Sequence, residues 1–162
     1  MYLSRTIFLC FNRRVPVLAE NRKAKFDYDI LETFQAGLVL QGQEVKSIRL
    51  GRMNLTGSYV ILQKGELFLV GSQVPPYQPK NTPPGYDPER SRKLLVRKQE
   101  RNSLIGKSKE RGLTLLPLKV YTQKHKIKLE FALAKGQKKY DKRQKIRKRE
   151  SDREIERELK RG

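Results

Sequence analysis

The run from Lys126 to Leu133, KIKLEFAL, constrains this chain most. Ile127, Leu129, Phe131 and Leu133 fall on one side, and Lys126, Lys128 and Glu130 on the other. Alternation of this kind is the period of a strand with one dry face and one wet face. Such a strand needs a sheet around it to bury its dry side. The same segment then runs straight into AKGQKKYDKRQKIRKRE. From Lys135 to Gly162 there are 13 Lys or Arg, six acidic residues and few apolar ones. That stretch has too little apolar surface to fold alone. A half-buried body therefore ends in a cationic tail.

The 162 residues suit one domain with an appended tail, and they allow a modest core. The formal net charge is +20. An excess of this size favours phosphate backbones and speeds encounter with them, so RNA is the leading partner class. A membrane surface is the competing polyanion. The basic residues near the end face no strong apolar stripe, which argues against a membrane-surface helix. No stretch reaches the length of a membrane-spanning helix. With one cysteine, Cys10, and one histidine, His125, a disulfide framework and a Cys/His zinc site are excluded within one chain. A lone cysteine fits a reducing, cytoplasmic setting. Residues 6–11, TIFLCF, are short for a signal-peptide core and lack a small-residue cleavage site. Residues 1–20 read first as a disordered extension and second as a short segment packing on the body.

Local signals divide the rest. Phe26, Tyr28 and Ile30 alternate, so residues 26–40 read as a strand that bends near Leu31 to Phe34, with Gly37 as a bulge or kink. Val45 and Ile48 give a short helix over 44–51, closed by Gly51. Ser58–Gln63 and Glu66–Val70 read as strands joined by a Lys64-Gly65 turn. Residues 73–90 hold six of the eight prolines, which predicts an extended loop. Its length hints at function or local disorder. Ser91 can cap a longer helix through RKLLVRKQERNSLIGKSKER, ended by Gly112. Strands over Leu113–Tyr121 and Lys126–Leu133 complete the body. Five strands with one short and one longer inserted helix fit a mainly β fold, a partly open five-stranded barrel of the OB type. An α+β sandwich is the alternative.

Four segments in this order carry a family resemblance: ENRKAKFDYDILETFQAGLVLQGQEVKSIR, GSYVILQKGELFLV, YDPERSRKLLV and LAKGQKKYDKR. Together they resemble the SsrA-binding protein family, SmpB, from about Asn21 to about Glu150. The resemblance implies an OB-type barrel over 21–134, no catalysis, no cofactor and a tail over 135–162 that is helical on the ribosome. It also implies two partners. One copy of the barrel would hold the tRNA-like domain of transfer-messenger RNA (tmRNA). The tail would enter the decoding centre of a stalled ribosome, in contact with small-subunit ribosomal RNA, during bacterial trans-translation.

Candidate residues follow from chemistry and resemblance together. Asn21, Arg22, Lys23 and Tyr28 offer a base-edge donor, two phosphate-binding cations and a stacking ring. By themselves they also read as a solvated strand entry with Tyr28 in the core. Arg92 and Lys93 would add their charge to a helix N-terminus that holds a phosphate. Leu94 and Leu95 cannot both face one core stripe, and the resemblance points to Leu95 as the RNA contact. Lys128 lies on the wet side of the last strand, where a solvated lysine is the ordinary reading and the resemblance implies tmRNA binding. Gln35 stands where the family usually has Glu, keeping the acceptor oxygen and losing the charge. Arg101 and Gln137 are further departures, replacing an apolar residue and a lysine. In the tail, Lys138, Lys139, Lys142, Arg143, Arg147, Lys148 and Arg149 would neutralise ribosomal phosphates. Tyr140 would stack on a base, and Asp141 would orient the cations or cap a helix. Beyond Arg149, attractive i,i+3 pairs are offset by like charges at i,i+4, so the free tail reads as frayed coil. No nucleophile–base pair, acidic magnesium cluster or Gly-rich nucleotide loop stands out.

Overall fold

The computed structural model describes residues 16–107 and 112–137, and five further helical positions, Glu150, Ser151, Ile155, Arg157 and Leu159. In chain order the elements are β1 (Val17–Glu20), α1 (Arg22–Asp27), β2 (Tyr28–Leu38), α2 (Gly42–Arg49), β3 (Tyr59–Gln63) and β4 (Glu66–Val70). Then come β5 (Arg92–Leu95), α3 (Lys98–Lys107), β6 (Leu113–Gln123) and β7 (Lys126–Gly136). A short 3-10 turn, Pro79–Asn81, interrupts the proline-rich loop.

All strand pairs are antiparallel. They run in the order β6, β3, β4, β5, β2, β7, and β7 pairs back onto β6. The ring therefore closes, with β1 added outside on β6. Two seams are short. β3 meets β6 only at Val60–Leu115, and β5 meets β2 only at Gly37–Leu95 and Leu38–Leu94. The result is a partly open, mainly β barrel with seven strands in place of the expected five.

The core follows the alternation of β7. Ile127, Leu129, Phe131 and Leu133 are all buried. Phe131 stacks on Phe34 of β2 with ring centroids 5.5 Å apart. Leu67, Leu69, Leu94, Ile48 and Leu104 fill the rest, so α2 and α3 each contribute an apolar plug. A second, smaller cluster of Ala24, Leu116, Leu118, Ala132 and Ala134 lies under α1, with Tyr28 packed against it. Near its end β7 is thus covered on both faces, and small side chains are what fit beneath a helix that close.

Several local readings change. Residues 26–40 are not one strand. Asn21 caps α1, its Oδ1 accepting from the Ala24 N–H at 3.1 Å, and β2 begins only at Tyr28. Ile30 and Leu31 are exposed, and the buried phase is set by Phe34 and Ala36 after a bulge between Ile30 and Glu32. Gly37 is regularly paired on both sides, neither bulge nor kink. The long helix from Ser91 does not form. Arg92 and Leu94 point inward while Lys93 is half-buried and Leu95 exposed, a two-residue period that makes residues 92–95 a strand. α3 starts afterwards. The disordered extension over 1–20 is corrected at its end, where Val17–Glu20 pair with β6 and the Asn21 N–H donates to the Leu118 carbonyl at 2.7 Å. Lys135 and Gly136 belong to β7, so the body ends later than residue 134.

Candidate nucleic-acid interface

The proposed RNA residues separate into three places. The first is a groove across β5, β2 and β7. Gly37 pairs with Leu95 on one side and Lys128 on the other. Directly paired residues point to the same face of a sheet, so the three form a row. Gly37 has no side chain, and a Cβ there would stand 3.5 Å from Leu95 Cβ. Its absence leaves a notch between an apolar wall and a cation. Gln35, two residues back on the same face, is exposed opposite Glu130. Two adjoining hollows of about 530 and 330 Å³ share Gly37, Leu95 and Lys128. The first reaches Gln35, Arg97 and Glu100. The second has an apolar floor of Leu38, Leu40, Val45 and Ile127, rimmed by Arg49, His125 and Lys126.

Charge pairing distinguishes the cations of this face. Lys93 is held by Glu66 at 2.6 Å, Lys107 by Glu32, and Lys119 by Glu130 at 3.1 Å. Arg49, Arg97, Lys126 and Lys128 form no ion pair among the described residues. Arg49 donates only to the His125 carbonyl, at 3.4 Å. Four cations without an ion pair thus border the two hollows, and the paired Lys93 lies on the far side of Leu95. Leu95 leaves 56% of its surface exposed. An exposed leucine between unpaired cations suits the sugar and base surfaces of RNA, with phosphates on the rim.

The second place is buried. Arg92 has no exposed surface and sits opposite Glu44, likewise covered, at 2.9 Å. Its guanidinium also donates to the Ser72 carbonyl at 2.7 Å, the Arg90 carbonyl at 3.0 Å and the Pro88 carbonyl at 2.9 Å. Arg90 donates to both Glu44 oxygens, Nε at 2.9 Å. The Gln41 N–H closes the set at 2.7 Å, forming a capping box for α2. Burial pushes the Glu44 carboxyl upward. The Arg90 hydrogen bond, the Gln41 N–H and the charges of Arg92 and Arg90 outweigh that, and the net shift is down. Arg92 is therefore a clamp that ties α2 and β5 to both ends of the proline-rich loop. Its reading as a phosphate ligand at a helix start is corrected, since it lies in a strand with no free surface. Lys93 loses that reading too, because it lies in the same strand and is paired with Glu66. The loop is ordered: Tyr86 donates to the Val74 carbonyl at 2.7 Å and Ser47 to the Pro75 carbonyl at 2.6 Å.

The third place is at the other end of β2. Asn21, Lys23, Tyr28 and Tyr59 line a cleft of about 450 Å³. Asn21 is buried, and its Nδ2 donates to the Leu55 carbonyl at 3.1 Å, so its amide serves the fold. Arg22 is exposed and lies 3.5 Å from Glu20, outside the lining of the cleft. Lys138, Lys139, Tyr140, Asp141, Lys142, Arg143, Arg147, Lys148 and Arg149 lie outside the described residues. Glu150, Ser151, Ile155, Arg157 and Leu159 are helical and exposed in the free chain, where the charge pattern predicts coil.

With this geometry in hand, comparison with known proteins is direct. Residues 18–161 match the family described as SmpB protein. The chain belongs to the SmpB family. An SsrA-binding protein of Geobacillus thermodenitrificans (strain NG80-2) is 52% identical over 141 residues, covering 87% of this SmpB-family chain and 90% of that protein. One from Halothermothrix orenii is 47% identical over 146 residues, covering 90% and 94%. A chain from a solved structure described as "tmRNA-SmpB: a journey to the center of the bacterial ribosome" has a TM-score of 0.62 and 45% identity. It covers 74% of this SmpB-family chain and 84% of its own length. No helix among the described residues is long and apolar enough to cross a membrane.

The residues that sequence reasoning missed in this SmpB-family chain are Gly37, Arg49 and Arg97 at the groove and Glu44 with Arg90 beneath it. A signal existed for Glu44. An acidic residue three positions after Gln41, at the start of a short helix, is a capping-box spacing.

Proposed function

We propose that this protein is an RNA-binding adaptor that holds the tRNA-like domain of tmRNA and brings it to stalled bacterial ribosomes, where it supports tagging and release of the nascent chain. The groove around Gly37 carries the reading. It joins Gln35, Leu95 and Lys128 on one face and rims them with Arg49, Arg97 and Lys126, none of which forms an ion pair among the described residues. Family membership and the similarity to a tmRNA–SmpB chain support the same partners. The adaptor acts by binding, without catalysis or a cofactor, in the cytoplasm and as one copy per tmRNA.

The body supplies affinity for tmRNA, and the tail supplies the ribosomal contact. Lys138, Lys139, Lys142, Arg143, Arg147, Lys148 and Arg149 neutralise phosphate, while Tyr140 stacks and Asp141 orients its neighbours. The tail competes with mRNA for one track, so it engages only when the channel is empty. The test is a truncation after Gln137, which leaves β7 whole. It should keep the affinity for a tRNA-like tmRNA fragment and abolish tagging on stalled ribosomes. Equal affinity for an unrelated structured RNA at the same salt would instead indicate a general RNA-binding protein.

A further inference from the structure

One face of the body carries the opposite charge balance from the RNA groove. The proline-rich loop and the turn after α2 enclose a hollow of about 710 Å³, a size that can bury a compact ligand. Met53, Pro75, Pro76 and Pro88 give it apolar walls. Asp87 and Glu89 line it together with one cation, Arg52. Neither carboxylate forms an ion pair among the described residues, in a chain of net charge +20. Asp87 accepts from the Glu89 N–H at 2.8 Å, and Glu89 accepts from the Gln73 amide. The hollow is preformed. Asn54 and Gln73, both in its lining, exchange backbone hydrogen bonds of 2.9 and 3.1 Å. The Pro75 and Pro88 carbonyls accept from Ser47 and Arg92.

We propose that residues 6–11 of the same molecule fold back and fill this hollow, with Arg13 and Arg14 against Asp87 and Glu89. The run TIFLCF has no charged residue and is flanked by Arg5, Arg13 and Arg14. An apolar run of this kind left in water is an association hazard, and docking removes it. Residues 1–15 lie outside the described residues, and the family match begins at residue 18. The chain enters the body beside the hollow. Gly51 lines it, and a Cβ there would stand 3.5 Å from the Leu18 carbonyl oxygen of β1. Val17 and Leu50, their neighbours in sequence, are exposed apolar surface. From Leu18 back to Phe11 the chain can span about 24 Å at roughly 3.4 Å per residue. A tether this short supplies an effective concentration of about millimolar order, so even a weak contact stays mostly closed. The apolar floor of the RNA groove is the other seat within the fold. Arg49, Lys126 and Lys128 rim it, and like charge disfavours an arginine-flanked segment there. The docked segment leaves that groove open. This assignment needs no RNA and stands apart from the adaptor reading above.

The test uses the full chain with a nitroxide on Cys10, its only thiol, observed by backbone-amide NMR. The signals of Gly51, Asn54 and Gln73 should lose most of their intensity, and those of Gly37 and Lys128 should keep theirs. Phe8→Ser with Phe11→Ser should restore the lost intensity. Asp87→Asn with Glu89→Gln keeps both hydrogen-bond acceptors and removes both charges, and it should restore part of that intensity. Without the nitroxide, deleting residues 2–15 should shift the same three signals, which guards against displacement of the segment by the label. The shortened protein should bind a tRNA-like tmRNA fragment within about twofold of the full chain. Full intensity at the hollow, together with unshifted signals in the shortened protein, would overturn the proposal. Loss of intensity at Gly37 and Lys128 instead would overturn it in favour of the groove. Broadening of a nitroxide-free, isotope-labelled chain by a spin-labelled one mixed with it would overturn it in favour of a second copy.

Discussion

Glu44 of α2 and Arg92 of β5 lie 2.9 Å apart with neither side chain reaching solvent, and Arg90 completes the pair from the loop. Both carboxylate oxygens are occupied. Removing the negative charge would leave a buried guanidinium uncompensated, the costly case for an internal ion pair. Glu44→Gln should therefore lower stability by roughly 3–5 kcal/mol in urea unfolding at neutral pH. A change under about 1 kcal/mol, the range of a surface pair, would contradict this account.

The same carboxyl gives a pH dependence with a definite sign. Its folded-state pKa is depressed, so the unfolded chain takes up a proton near the ordinary glutamate value, about 4.3, before the folded chain does. The stabilisation is complete above that pH and is lost as pH falls through the lower folded value. Wild-type protein should lose stability below about pH 4, and Glu44→Gln should show a flatter profile across that window.

Gly37 should be replaceable without harm to the barrel. Its pairing is regular, and an added Cβ would meet Leu95 at ordinary contact distance, 3.5 Å. Valine favours a strand but extends into the notch between Leu95 and Lys128. Gly37→Val should melt within a few degrees of wild type and bind the tRNA-like fragment about tenfold more weakly, a loss of about 1.4 kcal/mol. Equal affinity in a gel shift at fixed salt would mean that the notch is not occupied.

The division between paired and unpaired cations gives a sharper comparison. Lys128 has no ion-pair partner among the described residues, whereas Lys93 is held by Glu66. Lys128→Ala should weaken binding and reduce the slope of log affinity against log salt by about one. Lys93→Ala, measured over the same salt series, should change the slope by clearly less, because Glu66 already offsets its charge.

What could be read from the chain alone was whatever its neighbours in sequence decide. The β3–β4 hairpin was legible because Lys64 and Gly65 both take positive φ, the backbone that their turn requires. β7 was legible because its alternation is unbroken. β5 was not. Leu94 and Leu95 beside two cations fit a helix start as well as a strand, and the choice is made by Glu44, 48 residues earlier, drawing Arg92 inward. Likewise β1 exists because β6 offers an edge, which no local pattern records. At the site, Lys128, Leu95 and Gln35 were readable as individual candidates. Their convergence was not, since it depends on Gly37 lying between two strands that are far apart in sequence.

The β6–β7 turn stores strain at the groove rim. Lys124 and His125 take φ of 47° and 63°, and neither is glycine. Holding an ordinary residue in that conformation costs roughly 1 kcal/mol. Asn-Gly is the pair that such a two-residue turn favours. A Lys124→Asn, His125→Gly double variant should therefore raise stability by about 1 kcal/mol in urea unfolding. It should also bind the tRNA-like fragment more weakly, because His125 lines the groove beside Lys126 and Lys128 and the variant removes its ring together with a neighbouring charge. A variant that is more stable and binds as tightly as wild type would show that the strained turn is not retained for RNA.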